Sequence, residues 1–199
     1  MSLFATLLLG HLLGDFLLQT NWVFEFKTRS WIGIALHTAI HLVVTALLIQ
    51  NWWDLRGLLA LLGILHFTID WVKIRYSSKS QTFDFLLDQL AHLVVIILFT
   101  MYWSTLAQPM LPEWMVEWAI YYAAIPACGI FIWVMALELV LKGYGHIRPI
   151  RWLQSHLLQI SQYAGIPLLI LLCGMLIFFA MQTDIESTYS SFYTIGIGQ

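Results

Sequence analysis

Six blocks of almost uninterrupted apolar sequence, near 2–24, 31–50, 57–76, 82–105, 115–142 and 153–181, leave this chain little choice of solvent. A helix needs roughly 20 mostly apolar residues to cross about 30 Å of hydrocarbon. Each block is long enough, and only helices satisfy every backbone group of a single segment inside lipid. Of the 199 residues 60% are hydrophobic and 10% charged, against about 25% charged in a soluble domain. The expected fold is therefore all-α, a polytopic membrane protein of about six transmembrane helices. The short connections leave no room for a separate soluble domain.

The basic residues set an orientation. Of nine Lys and Arg, only Arg56 falls beside an even-numbered connection; Lys27, Arg29, Lys73, Arg75, Lys79, Lys142, Arg148 and Arg151 flank the odd ones. The positive-inside rule places those odd connections in the cytoplasm. Both termini are then expected outside, in a multi-pass protein of the inner (cytoplasmic) membrane. Trp22, Trp31, Trp52, Trp53, Trp103, Trp114 and Trp152 stand near block ends, where interfacial aromatic belts form. The first block lacks the basic start and small-residue cleavage site of a signal peptide, so it is expected to stay. Cys128 and Cys173 form no CxxC pair and read as buried free thiols. A net charge of −2 gives no sign of nucleic-acid binding.

The first four blocks carry polar residues that lipid does not tolerate idly. They are His11 and Asp15, His37 and His41, His66 and Asp70, and Asp88 and His92. Each pair is spaced i,i+4, so each shares one helical face, one turn apart. At about 1.5 Å rise per residue, all eight fall within roughly 5–15 Å of the cytoplasmic ends. There is also an internal repeat. LLGHLLGDF at 8–16 aligns with GILHFTIDW at 63–71, and ALHTAIHLVV at 35–44 with LLDQLAHLVV at 86–95. Residues 1–106 thus read as a four-helix core of two parallel hairpins, 1–50 and 57–106. An axis along the membrane normal would turn equivalent faces toward one centre. Residues 113–181 supply two supporting helices, and 182–199 a polar C-terminal tail.

A carboxylate in the hydrocarbon costs about 2.5–3.5 kcal/mol even on a lenient insertion scale. Asp15, Asp70 and Asp88 have no expected Lys or Arg partner at their depth. A divalent metal ion would offset them, and imidazole with carboxylate suits zinc first, with iron or manganese as alternatives. His11, Asp15, His37, His41, His66, Asp70, Asp88 and His92 are accordingly the candidate metal ligands. Lone intramembrane His or Asp residues often serve as hydrogen-bond glue between helices, but glue needs neither shared depth nor a repeated spacing. Gln19 and Gln89 adjoin the cluster as supporting groups. Glu138 and Lys142 read as an i,i+4 ion pair, Asp84 as solvated, and His146 and His156 as exposed.

HLLGDFLLQ, then H-x3-H, H-x3-D with a following Trp and Lys, and DQ-x2-H, resemble a family of small bacterial membrane proteins known only as a domain of unknown function. A weaker likeness, carried by His11 with Asp15 and His66 with Asp70, is to bacterial membrane-bound metal-dependent hydrolases. The arginine-and-threonine-rich histidine box of those hydrolases is missing from this chain. The leading expectation is a metal-dependent hydrolase of a membrane lipid or other membrane-located substrate, with no catalytic residue assigned. The rivals are a metal-ion or proton transporter, a redox protein holding haem or non-haem iron, and a non-catalytic subunit of a membrane complex. The partners expected are membrane lipid and either further copies of the chain or the subunits of a membrane complex.

Overall fold

A computed structural model describes the backbone of residues 3–196 and the side chains of residues 3–182. It is all-α. The helices are α1 (Leu3–Leu12), continued by a π-helical turn at Leu13–Leu17, α2 (Asn21–Arg29), α3 (Trp31–Leu47), α4 (Arg56–Arg75), α5 (Gln81–Trp103), α6 (Glu113–Leu141) and α7 (Arg148–Gly196). A short 3-10 turn, Tyr144–His146, joins the last two. The segment expected as a polar tail continues α7 in backbone to Gly196, and its side chains lie outside the described residues.

Four helices, α4, α5, α6 and α7 as far as Gln182, are long and apolar enough to cross a membrane. The first apolar block departs from the expected single span. Its two parts, Leu3–Leu17 and Asn21–Arg29, meet at 92°. The cause is local. Thr20 leaves the helix with extended backbone, and its hydroxyl caps α2 by accepting from Val23 N at 3.4 Å. The α2 segment itself, NWVFEFKTR, carries Glu25, Lys27 and Arg29 and cannot continue into hydrocarbon. Helix α3, capped by Ser30, has 17 residues, about 25 Å of rise, and is the shortest of the apolar helices after the bent pair.

Connections meet at two ends. At one, Gln50 N donates to Gln108 O at 2.8 Å and Met110 N to Leu48 O at 2.9 Å, joining the α3–α4 and α5–α6 connections. At the other, Glu138 near the end of α6 accepts from Thr82 N at 2.8 Å and from Ser80 Oγ, capping α5, while Lys142 pairs with it. Helices α3 to α6 therefore alternate up and down.

Each helix buries one stripe. On α3 it is Ile34, His37, Thr38, His41 and Thr45; on α4, Leu59, Gly63, His66 and Asp70; on α5, Asp88, His92, Ile96 and Phe99. These are i, i+3/i+4 rows, and the ligand pairs lie within them. The opposite faces, such as Val43, Leu47, Ile64, Leu90, Val94 and Ile97, are exposed, as lipid-facing surfaces are. Helices α6 and α7 pack from the side: Val116, Ala119, Ala123, Leu168 and Leu172 close on Ala5, Leu9 and Leu13 of the first helix. A second apolar cluster of Leu3, Leu7, Ile49, Leu58, Ile96 and Phe99 lies beyond the ligand rows. Cys128 and Cys173 are exposed, not buried as the sequence suggests, because the thiols fall on faces of α6 and α7 that no neighbouring helix covers.

Candidate metal centre

All eight candidate ligands are buried, and the four helices bring them to one place. Four imidazoles form a closed ring, with centroid separations of 4.8 Å (His11–His92), 4.3 Å (His92–His66), 4.0 Å (His66–His41) and 5.6 Å (His41–His11). His37 lies one turn toward α2, 4.7 Å from His41 and 5.3 Å from His66. Each histidine meets its carboxylate or amide partners through Nε2, so the five Nε2 atoms converge.

Asp15 is the most connected carboxylate. Its Oδ1 lies 3.0 Å from His37 Nε2 and 2.9 Å from His41 Nε2, and its Oδ2 accepts from Gln89 Nε2 at 3.2 Å. Gln89 also meets His11 Nε2 through Oε1 at 3.1 Å. The π turn positions Asp15. Leu18 N reaches back to Leu13 O at 2.8 Å, and the extra residue re-aims the helical face beyond His11. Such single-turn π bulges recur at functional sites. Gly14, in the same turn, has no room for a side chain, because a Cβ there would run into the His41 ring.

The expectation that no cation reaches these carboxylates is corrected. Lys27 Nζ lies 2.7 Å from Asp70 Oδ1, and Lys73 Nζ donates to Asp88 Oδ2 at 2.7 Å. The 92° bend explains the first pair: α2 turns under the bundle and carries Lys27 inward, where Gln19 also accepts from it at 3.3 Å. Lys73 lies three residues beyond Asp70 on the same face of α4 and stretches along that helix to Asp88. In the sequence both lysines are legible only as markers of cytoplasmic connections. The i+3 spacing of Asp70 and Lys73 is a usable signal for the second; nothing local betrays the first.

The remaining expectations about polar groups sort cleanly. Gln19 and Gln89 do support the cluster. Glu138 and Lys142 form their ion pair. His146 and His156 are exposed. Asp84 is half-buried rather than fully solvated, accepting from Ser77 Oγ and Ser78 N to close the turn before α5.

Three sets of these groups can hold a metal ion: Asp15, His37, His41 and His66; His11, His66 and His92; and Asp15, Asp88 and His92. Within each set the ligand atoms lie within 4.8 Å of one another; around a tetrahedral zinc at about 2.0–2.1 Å they would be about 3.3 Å apart. Side-chain adjustments of the order of 1 Å close that gap. Beyond their ionic contacts, His66 Nε2, His92 Nε2, both Asp70 oxygens and Asp88 Oδ1 have no aligned hydrogen-bond partner among the described residues. Buried polar atoms are rarely left so, and a metal ligand atom is one that needs no other partner.

Residues 3–120, more than half of the chain, match the family described as Protein of unknown function (DUF3307). The chain belongs to that family. The match spans α1 to α5, with every candidate ligand, and the start of α6. No curated protein matches the chain. No solved structure matches it.

Proposed function

We propose that this chain is an intramembrane metal-dependent hydrolase that holds one zinc ion and acts on a lipid or other membrane-located substrate. The observation that carries the reading is the charge count of the buried cluster. Asp15, Asp70 and Asp88 contribute three negative charges, and Lys27 and Lys73 two positive ones, leaving one negative charge unbalanced. Burying a net charge in a low-dielectric core is costly. One divalent ion carrying one hydroxide balances it. Two ions would overshoot unless further anions joined them.

The ion is assigned to His11, His66 and His92. His66 and His92 Nε2 have no aligned hydrogen bond and His11 Nε2 hydrogen-bonds only the neutral Gln89 amide, whereas the Nε2 atoms of His37 and His41 are hydrogen-bonded to the Asp15 carboxylate. Three imidazoles with an open fourth position make the ligand set of a catalytic rather than a structural zinc. Such an ion lowers the pKa of a bound water to about 7 and polarises a carbonyl or phosphoryl oxygen. The walls favour a substrate arriving through the bilayer. Leu42, Leu62 and Val95, beside the ring, are half-buried and border the lipid-facing surface. The cytoplasmic side is instead occupied by Lys27 and Asp70.

Elemental analysis of the purified chain tests the metal, with one zinc per chain expected. Incubation with a total bacterial lipid extract, read by mass spectrometry, tests the chemistry: a cleaved lipid should appear, and neither a chelated sample nor His66→Ala should yield it. Metal without cleavage of any lipid would leave a metal protein and sink the lipid as its substrate. A second reading rests on the same charge count, since one proton shared among the five imidazoles also balances it. That makes the cluster a proton path, and a metal-free protein that dissipates a pH gradient in vesicles would establish it.

A further inference from the structure

The imidazole ring has a small chamber on the side away from α2. It has a volume of about 30 Å³, and its polar wall is His11, His41, His66, His92, Thr38 and Thr45. The rest is aliphatic, including Leu7, Leu62 and Ile96. A water needs roughly 10–15 Å³ of such volume, so the chamber holds about two and nothing larger without movement.

Thr38 differs from Thr68 and Thr100 on the neighbouring helices. In helices a threonine hydroxyl commonly bonds back to the carbonyl one turn earlier. Thr68 does so to Ile64 O at 2.7 Å, and Thr100 to Ile96 O at 2.9 Å. Thr38 is buried on α3, lines the chamber, and its Oγ1 has no hydrogen-bond partner among the described residues. A buried hydroxyl that forgoes its own backbone is held for something else. Thr45, the other hydroxyl on the wall, is pressed against α1 instead: a Cβ at Gly10 would meet its Oγ1 at 2.7 Å.

We infer that Thr38 is the positioning residue for the reactive water, accepting a hydrogen bond from it and so turning its free lone pair into the chamber. This rests on the metal reading and adds to it: the ligands fix where the water sits, and Thr38 fixes which way it faces. Thr38 is not a metal ligand in this scheme, and its loss leaves the three imidazoles intact.

The test uses the full chain in lipid nanodiscs, loaded with cobalt(II) as a spectroscopic substitute and titrated with azide, an anion that competes for the water position. Wild type, Thr38→Val and Thr38→Ser should each bind one cobalt per chain. Because the water in Thr38→Val lacks one hydrogen bond, azide should displace it more readily, with an apparent affinity about tenfold higher. Thr38→Ser, which restores the hydroxyl, should return to the wild-type value. Equal or weaker azide binding in Thr38→Val would overturn the role of Thr38 and leave the metal reading standing. Loss of cobalt from Thr38→Val alone would overturn it too, by making Thr38 a ligand or a structural prop. Failure of wild type to bind cobalt would remove both, and His66→Ala, which should not bind it, shows that the signal comes from the ring.

Discussion

Lys27 Nζ sits 2.7 Å from Asp70 Oδ1, and the carboxylate it neutralises is wholly buried between α3, α4 and α5. Removing one partner of a buried pair leaves the other uncompensated, at a cost of about 3–5 kcal/mol. Lys27→Met should therefore lower the melting temperature in detergent, and Lys27→Met with Asp70→Asn should recover part of the loss.

The same substitution tests the charge count in a second way. Without Lys27 the cluster carries two unbalanced negative charges, which a divalent ion satisfies without hydroxide or a second ion helps to satisfy. Lys27→Met should hold its metal more tightly than wild type, read as slower release to a chelator. Faster release would mean that Lys27 orders the ligands rather than opposing the ion.

Metal content should separate the three ligand sets. His66 belongs to two of them and His92 to two, but only His11, His66 and His92 form a set together. His11→Ala, His66→Ala and His92→Ala should each lose most of the zinc, while His37→Ala keeps it and His146→Ala is indistinguishable from wild type. Loss in His37→Ala with retention in His92→Ala would move the ion to Asp15, His37, His41 and His66.

Gly14→Ala should damage the site without replacing any of its polar residues. The new methyl would collide with the His41 ring, and overpacking of this kind costs about 1–3 kcal/mol. The expected result is a folded protein with reduced metal content and reduced thermal stability. A variant matching wild type in both would show that the π turn adjusts freely.

The orientation is proposed from the basic residues, and reporter fusions check it. Fusions after Ser78 and after Gln199 should report opposite sides, with Ser78 cytoplasmic. A cytoplasmic Gln199 would put Lys27 and Asp70 on the outer side of the bundle instead.

Much of the site was legible because lipid makes polar residues conspicuous. His66 and Asp70 stand out of LHFTIDW in a way no soluble helix would show, and their i,i+4 spacing already implied one face. Burial of all eight candidates accords with that pattern. The break after Leu17 left a local trace in the polar run Gln19, Thr20 and Asn21, with Thr20 a usable N-cap signal, but apolar residues on both sides of it read as one block; the size of the turn depends on Thr20 capping α2 and on Lys27 finding Asp70, a tertiary partner. For the same reason Lys27 reads as a loop charge. The parallel repeat is a proposal, supported by the order of the imidazole ring, in which His11 stands across from His66 and His41 across from His92. An experimental structure in lipid should superpose 1–50 on 57–106 with His11 over His66 and His41 over His92; different faces for these pairs would end it.

The sharp bend between α1 and α2 bears on how the chain enters a membrane at all. The apolar stretch before the bend, Leu3–Leu17, is about 22 Å long, short of the bilayer, and it carries Asp15. A segment like this has little reason to leave the translocon alone. Its carboxylate finds His37, His41 and Gln89 only after α3 and α5 have been synthesised. Late insertion of the first helix, completed by the very contacts that build the centre, is the expected consequence, and biogenesis and site assembly would then be a single cooperative step.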